Sequence, residues 1–389
     1  MIQRHIIQLI IDRAKRFPVV GVIGPRQVGK TTLVKSILKV TPKDSVYLDM
    51  ELPSDLNQLR EPELYFTENI KRTVVLDEIQ HKPGLFPVMR SMIDVNRKPG
   101  RFIVTGSASP DLLQQGSETL AGRIIFCELG PLSLVETNYM EYQKLWLRGG
   151  FPGAYLAKSN KDSFEWLNSF LRTYVQQDIA VLGLSINRSL VMQLLQMISS
   201  TNGSVINYSS LSKSLGVSVT TIMKFVDILE DTFMVRRLTA YHHNIKKRIV
   251  KAPKIFIRDT GLLHTLWNTH SIKALFSHHL LGHSWEGFVI QQIATHLRDD
   301  SQLFYYRTQD GSEVDLIIVK GNKPFVSLEI KFTDNPVLTK GNHLAIEDIK
   351  AKHNFIVTPS AKEHPYNKNV RVVSLPVVLQ RLQELNILI

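Results

Sequence analysis

Three stretches near the amino end carry residues whose types and spacing could do chemistry. The first is GVIGPRQVGKTTLVKSIL (21–38), which fits G-x-x-x-x-G-K-[ST] with Gly24, Gly29, Lys30 and Thr31 in the fixed places. A glycine-rich turn between a strand and a helix aims successive backbone N–H groups at an anion, and the helix N-terminus adds its positive end. The expected cradle for ATP runs through Gly24, Pro25, Arg26, Gln27, Val28, Gly29, Lys30, Thr31 and Thr32. Lys30 would reach the β- and γ-phosphates, and the Thr31 hydroxyl would ligate Mg²⁺.

The second stretch is TVVLDEIQ (73–80), an apolar run closed by two acids. Asp77 stands where a carboxylate holds Mg²⁺, directly or through water. Glu78, next in line, can polarise the attacking water as general base. The third stretch is RFIVTGSAS (101–109), a strand that ends in small hydroxyl residues. A polar sensor of the γ-phosphate is expected there, at Thr105 in preference to Ser107. Arg123 in LAGR is open to two readings. It could stabilise transition-state charge, from the same or a neighbouring subunit, or serve as a structural ion-pair partner.

The elements that must position these residues are legible as short apolar runs alternating with helical segments. Strands are expected at PVVGVI (18–23), SVYLDME (45–51), 73–76, 102–105 and RIIFCEL (123–129), with a helix from Thr31. Alternation of this kind predicts a doubly wound α/β domain with a five-stranded parallel sheet, whose ligands sit at the carboxyl ends of the strands.

These motifs, with VVLDEIQHKPGLFPVMRSMID, LAGRIIFCELGPLSLVE, GGFPGAY, KAPKIFIRDTGLL and WEGFVIQQI, resemble the bacterial and archaeal AAA-type ATPases that carry a C-terminal domain of unknown function. The resemblance runs nearly end to end. It implies ATP binding, ATP hydrolysis with Mg²⁺, and a homo-oligomer in which a neighbour completes each site, with a hexameric ring as one form.

The implied organisation is a P-loop ATPase domain (1–138), a helical lid (139–203), a winged-helix domain (204–265) and a C-terminal α/β restriction-endonuclease-like domain (266–389). In the third segment, Ser209 to Leu215 reads as a short helix, Gly216 and Val217 as a turn, and Ser218 as the cap of a second helix. This is helix-turn-helix spacing. The following stretch, 236–258, holds eight Lys or Arg and no Asp or Glu. It reads as the wing, with Arg236, Arg237, Lys246, Lys247, Arg248 and Lys251 facing DNA phosphates without reading bases. Lys224 is the only basic residue on the second helix, so weak sequence preference is expected.

In the C-terminal segment, EVDLIIV and VSLEIKF read as two strands joined at Gly321 and Asn322. Asp315 lies on the first; Glu329 and Lys331 lie two apart on the second and share a face. With Glu286 on the preceding helix, the set resembles a PD-(D/E)XK nuclease core. Asp315 and Glu329 would hold a second Mg²⁺, and Lys331 would assist the attacking water.

Composition narrows the classes. At 43% hydrophobic and 21% charged, the 389 residues have an ordinary globular make-up. A single cysteine, Cys127, excludes an intrachain disulfide and any cysteine-rich zinc site, and fits a cytoplasmic setting. No apolar stretch reaches membrane-spanning length, and IIQLII (6–11) reads as an amphipathic helix. The net charge of +12 suits a polyanionic partner, nucleic acid first. The functions that remain are an ATP-driven motor acting on DNA, branched DNA included, an ATP-regulated nuclease, and a nucleotide-switched regulatory protein.

Overall fold

The computed structural model describes residues 2–40, 44–107, 116, 118–178, 187–242 and 250–389. They fall into two compact units, Met1–Thr137 with Asp231–Phe233, and Asn138–Glu230 with Met234–Ile389.

The first unit is built on helix α1 (Ile7–Ala14), strand β1 (Val19–Gly24), helix α2 (Lys30–Val40), β2 (Ser45–Asp49), β3 (Thr73–Asp77), helix α3 (Leu85–Val95), β4 (Phe102–Ser107) and β5 (Ile124–Glu128). The strand order is β2-β3-β4-β1-β5, all parallel. β1, β3 and most of β4 are buried along their length, which is why they read as continuous apolar runs and not as alternating ones. One face of the sheet packs Val20, Val22, Val75 and Ile103 against Ile10, Leu33, Val34 and Ile37. The other packs Val74, Leu76, Phe102 and Val104 against Phe66, Phe86, Met89 and Ile93. The expected five-stranded parallel sheet is present, and its carboxyl edge gathers the ends of β1, β3 and β4.

The second unit opens with helices α4 (Tyr142–Arg148), α5 (Asn160–Thr173), α6 (Arg188–Ser200), α7 (Tyr208–Leu215) and α8 (Val219–Asp231). An antiparallel pair follows, β6 (Val235–Leu238) and β7 (Lys254–Ile257), and then α9 (Thr260–Leu266). Asn207 caps α7 by accepting the Ser210 N–H, Gly216 ends it at φ +66°, and the Ser218 hydroxyl accepts the Thr221 N–H to start α8. Leu167, Phe170, Leu194 and Ile198 share one core with Leu211, Ile222, Phe225, Leu229, Val235 and Ile255. The residues expected as a separate lid and those expected as a winged helix therefore build a single hydrophobic interior.

The remainder of this unit comprises α10 (Leu281–Thr295), β8 (Ser301–Arg307), β9 (Glu313–Lys320), β10 (Lys323–Ile330), α11 (Lys340–Ile349), β11 (His353–Thr358), β12 (His364–Pro365), β13 (Arg371–Ser374) and α12 (Leu375–Glu384). The sheet order is β12-β13-β11-β10-β9-β8, parallel at β10–β11 and β11–β13 and antiparallel elsewhere. α10 is buried over Ser284–Ile293, charged and polar positions included, so its neighbours cover it on every side.

Candidate functional site

The first site forms where β1 turns into α2. Gly24 closes β1 against Leu129: a Cβ at residue 24 would lie 2.2 Å from the Leu129 carbonyl oxygen, so only glycine fits. Gln27 and Gly29 take positive φ, +58° and +96°, which curls the loop before α2 begins at Lys30. Lys30 is buried, and its ammonium donates to the Gly24 carbonyl at 3.2 Å and the Pro25 carbonyl at 3.0 Å. It also lies 3.9 Å from the Glu78 carboxylate.

β3 and β4 bring the remaining groups to the same edge. Asp77 is buried at the end of β3 and accepts a hydrogen bond on each oxygen, from the Thr105 hydroxyl on Oδ1 and from the Tyr47 hydroxyl at 2.5 Å on Oδ2. The Thr105 oxygen accepts in turn from the Glu78 backbone N–H at 3.0 Å. One fully buried hydroxyl thus ties the metal-side acid to the backbone of the proposed base. Glu78 adopts φ +53°, a left-handed conformation that is costly for a residue with a side chain. Gln80 Nε2 holds that carboxylate at 2.5 Å.

The donor set fits magnesium. Thr31 and Asp77 offer a hydroxyl and a carboxylate, hard oxygen donors of the kind that hold Mg²⁺ while leaving places for phosphate and water. Of the expected residues, Lys30, Asp77, Glu78 and Thr105 are joined in one polar network. Ser107 ends β4 and makes no such link among the bonds described. Tyr47 and Gln80 were not anticipated.

Arg123 is elsewhere. It immediately precedes β5, its carbonyl accepts the Val19 N–H at the start of β1, and its guanidinium pairs with Asp94 of α3 at 2.6 Å. That is the amino edge of the sheet. With β1 running from Val19 to Gly24 at about 3.3 Å per residue, it is roughly 15–20 Å from the loop of its own domain. Within one subunit the ion-pair reading describes it.

The expected phosphate-binding cations divide similarly. Lys246, Lys247 and Arg248 lie outside the described residues. Lys251 is exposed. Arg237 is committed to acids of α8, with Asp227 at 2.7 Å and a tight pair to Glu230. Burial opposes its charge, but the Glu230 hydrogen bond and charge outweigh it and hold its pKa above the usual value. Arg236 reaches the Gln291 side-chain oxygen of α10 at 3.3 Å.

The second candidate site belongs to the six-stranded sheet. β9 carries Glu313 and Asp315, β10 carries Glu329 followed by Lys331, and α10 supplies Glu286. Lys331 pairs with Glu329 at 2.7 Å, and the Asn342 amide of α11 donates to the same Glu329 oxygen at 2.9 Å. Asp315 Oδ2 accepts the Ile330 N–H at 2.8 Å. The second Glu329 oxygen is buried with no hydrogen-bond partner. Burial, then the neighbouring Asp315 charge, push Glu329 up to about 8. Burial and the Glu286 charge raise Asp315 to about 6.

Asp315, Glu329, Lys331 and Glu286, expected as a nuclease-like set around Mg²⁺, lie on β9, on and just after β10, and on α10. Among the described residues no group of three or more His, Cys, Asp or Glu is placed to hold a metal ion. The ammonium of Lys254, from β7, stands between the acids instead. It is 2.7 Å from Glu313, 2.8 Å from Glu286 and 3.6 Å from Asp315, and it is 3% exposed. Burial opposes its charge, yet the three carboxylates outweigh that cost and hold its pKa above the usual lysine value. Removing one partner from such a buried set costs about 3–5 kcal/mol, because the others are left uncompensated.

No helix among the described residues is long and apolar enough to cross a membrane. The family described as "AAA domain" matches residues 16–138. Two domains of unknown function match further on, DUF8612 over 139–273 and DUF4143 over 281–378. The uncharacterized protein Rv2008c of Mycobacterium tuberculosis is 38% identical over 361 residues, covering 93% of this chain and 80% of that one. Mb2031c of Mycobacterium bovis matches with the same figures. The Walker-type ATPase paby2304 of Pyrococcus abyssi is similar at a TM-score of 0.47 and 13% identity, over 69% of this chain and 96% of that one. With its phosphate loop and paired strand-end acids lying inside the matched AAA region, the chain carries a P-loop AAA-type ATPase domain and belongs to the family of the mycobacterial proteins Rv2008c and Mb2031c.

Proposed function

We propose that the protein is an ATP-hydrolysing motor that binds and remodels DNA. The observation that carries the ATPase half is the network joining Lys30, Asp77, Glu78 and Thr105 at one strand edge. Lys30 would exchange its carbonyl partners for oxygens of the β- and γ-phosphates, and the loop N–H groups would hold the rest of the chain of phosphates. Thr31 and Asp77 would hold Mg²⁺, which supplies charge neutralisation on the phosphates. Thr105 and Tyr47 fix the Asp77 carboxylate, and Gln80 fixes Glu78, which takes the proton of the attacking water.

Support for DNA as the partner is of a different kind. The pair α7–α8 with its short turn, followed by the strands β6 and β7, has the order of a winged helix, and its strand pair brackets most of the chain's acid-free basic stretch. With Arg237 paired, phosphate binding falls to Lys251 and to Lys246, Lys247 and Arg248. The six-stranded domain is read as restriction-endonuclease-like and as a DNA platform. A homo-oligomer belongs to this reading, since AAA-type ATPases commonly complete each site with a neighbour.

Turnover measured with and without duplex, single-stranded and branched DNA tests the proposal. Wild type should be stimulated several-fold by DNA. Lys30→Ala should lose nucleotide binding, and Glu78→Gln should bind nucleotide while turning over about 10²–10⁴-fold more slowly. Turnover indifferent to every DNA, with no DNA binding at low salt, would overturn it in favour of a regulatory ATPase. The same mixtures inspected for cut strands test the nuclease alternative, against which the position of Lys254 argues.

A further inference from the structure

We infer that the acid centre of the six-stranded sheet takes its cation from within the chain: the Lys254 ammonium is the resident counter-ion of Glu286, Glu313 and Asp315, and it and a divalent metal are mutually exclusive occupants. Three observations lead there. The Nζ atom lies within 2.8 Å of two carboxylates on different elements and 3.6 Å from a third, which is the place where oxygen donors would otherwise meet around one positive charge. The side chain has no route out in this conformation, since it is 3% exposed and its ammonium passes over the Tyr305 ring at 5.6 Å from the centroid. Its strand is fixed from both sides, by the β6 pairing and by the Val205 bridge, so the ammonium is delivered by backbone register and not by a free rotamer.

The charge logic of a metal site is met without a metal. A divalent ion would need the Asp315, Glu286 and Glu313 oxygens that Lys254 now occupies, and it would face the ammonium at close range with little solvent between. Lys331 adds a second cation, 2.7 Å from Glu329. A mobile lysine at a surface would be displaced by millimolar metal; a lysine built into a strand and buried is not displaced without moving β7.

Manganese binding to the full chain tests this, with the nucleotide-site acid removed by Asp77→Asn so that only the second centre is read. On that background no Mn²⁺ site that depends on Asp315 should exist at millimolar metal. Lys254→Met, close in volume and without charge, should gain one Mn²⁺ bound at least about tenfold more tightly, and adding Asp315→Asn should abolish the gain. Reductive methylation read by mass spectrometry provides the arm that needs no variant at Lys254. In the folded protein, with or without Mn²⁺, Lys254 should stay unmodified while Lys251 reacts. Three results would each overturn the inference: an Asp315-dependent Mn²⁺ site with Lys254 still protected, a folded Lys254→Met with no added Mn²⁺ binding, or Lys254 methylated as fast as Lys251.

Discussion

Thr105 shows how much of the first site rests on one hydroxyl. It donates to Asp77 and accepts from the Glu78 N–H, so it orients two residues that would act on opposite ends of the reacting phosphate. Thr105→Val keeps the shape and deletes both bonds. It should leave nucleotide affinity within a few-fold of wild type and lower kcat by about 10–100-fold, the usual cost of removing support one layer behind a reacting group; nucleotide titration beside steady-state turnover checks the split. At this scale the sequence was legible where the pattern is local. Gly24, Gly29, Lys30, Asp77 and Glu78 sit in contiguous motifs whose spacing is set by one strand and one turn. Tyr47 was not legible, because its bond to Asp77 depends on β2 lying beside β3, a matter of strand order. Lys254 was hidden for the opposite reason. Among eight basic residues in 236–258 it looked like one more solvated charge, and only the fold shows it turned inward.

At the scale of elements, GGFPGAY and the end of KAPKIFIRDTGLL form a joint. GGFPGAY meets IRDTGLLHTL where Asp259, the cap of α9, accepts from the Leu262 N–H at 3.0 Å and the Gly150 N–H at 2.8 Å. Gly149 has φ +72°, and a Cβ there would fall 2.0 Å from the Asp259 carboxylate. Five residues on, the buried His264 ring lies between the Leu147 carbonyl at 3.1 Å and the Ser284 hydroxyl at 2.7 Å. The carbonyl can only accept, so the proton is on Nδ1. Burial raises Asp259 to about 6 and lowers His264 to about 4. The two act in opposite senses over one window. Asp259 holds a proton in the folded state that the unfolded chain has lost, so its contribution falls as pH rises from about 4 to 6. His264 refuses a proton that the unfolded chain accepts, so its contribution rises over the same range. Asp259→Asn removes the falling part. Relative to wild type its stability should improve with pH between 4 and 6, by on the order of 2–3 kcal/mol in total; denaturant unfolding at several pH values reads the difference, and a constant offset would refute it. The start of α8 was legible from Ser218, whereas the Asn207 cap of α7 and the shared core of 139–265 were not, because apolar faces read from sequence do not say which other face they meet.

For the whole molecule, the net charge of +12 is the property from which DNA binding was argued, and the structure redistributes it. Arg237 is neutralised by its own acids and Lys254 is internal, so neither is open to a polyanion, while Lys251 is exposed. Neutralising Lys246, Lys247 and Arg248 together should weaken DNA binding about equally for all sequences. It should also reduce the slope of log K against log salt by about 2–3, close to one per lost phosphate contact; an unchanged slope would move the binding face elsewhere.

The ends of that stretch are fastened in a specific way. The Tyr241 N–H bonds to the Tyr305 carbonyl at 2.7 Å and the Val250 N–H to the Arg307 carbonyl at 3.0 Å, both on β8. Both bonds load an edge strand, and the strand next inward is β9 with Glu313 and Asp315. A pull on the backbone at Tyr241 or Val250 would be felt first as shear between β8 and β9.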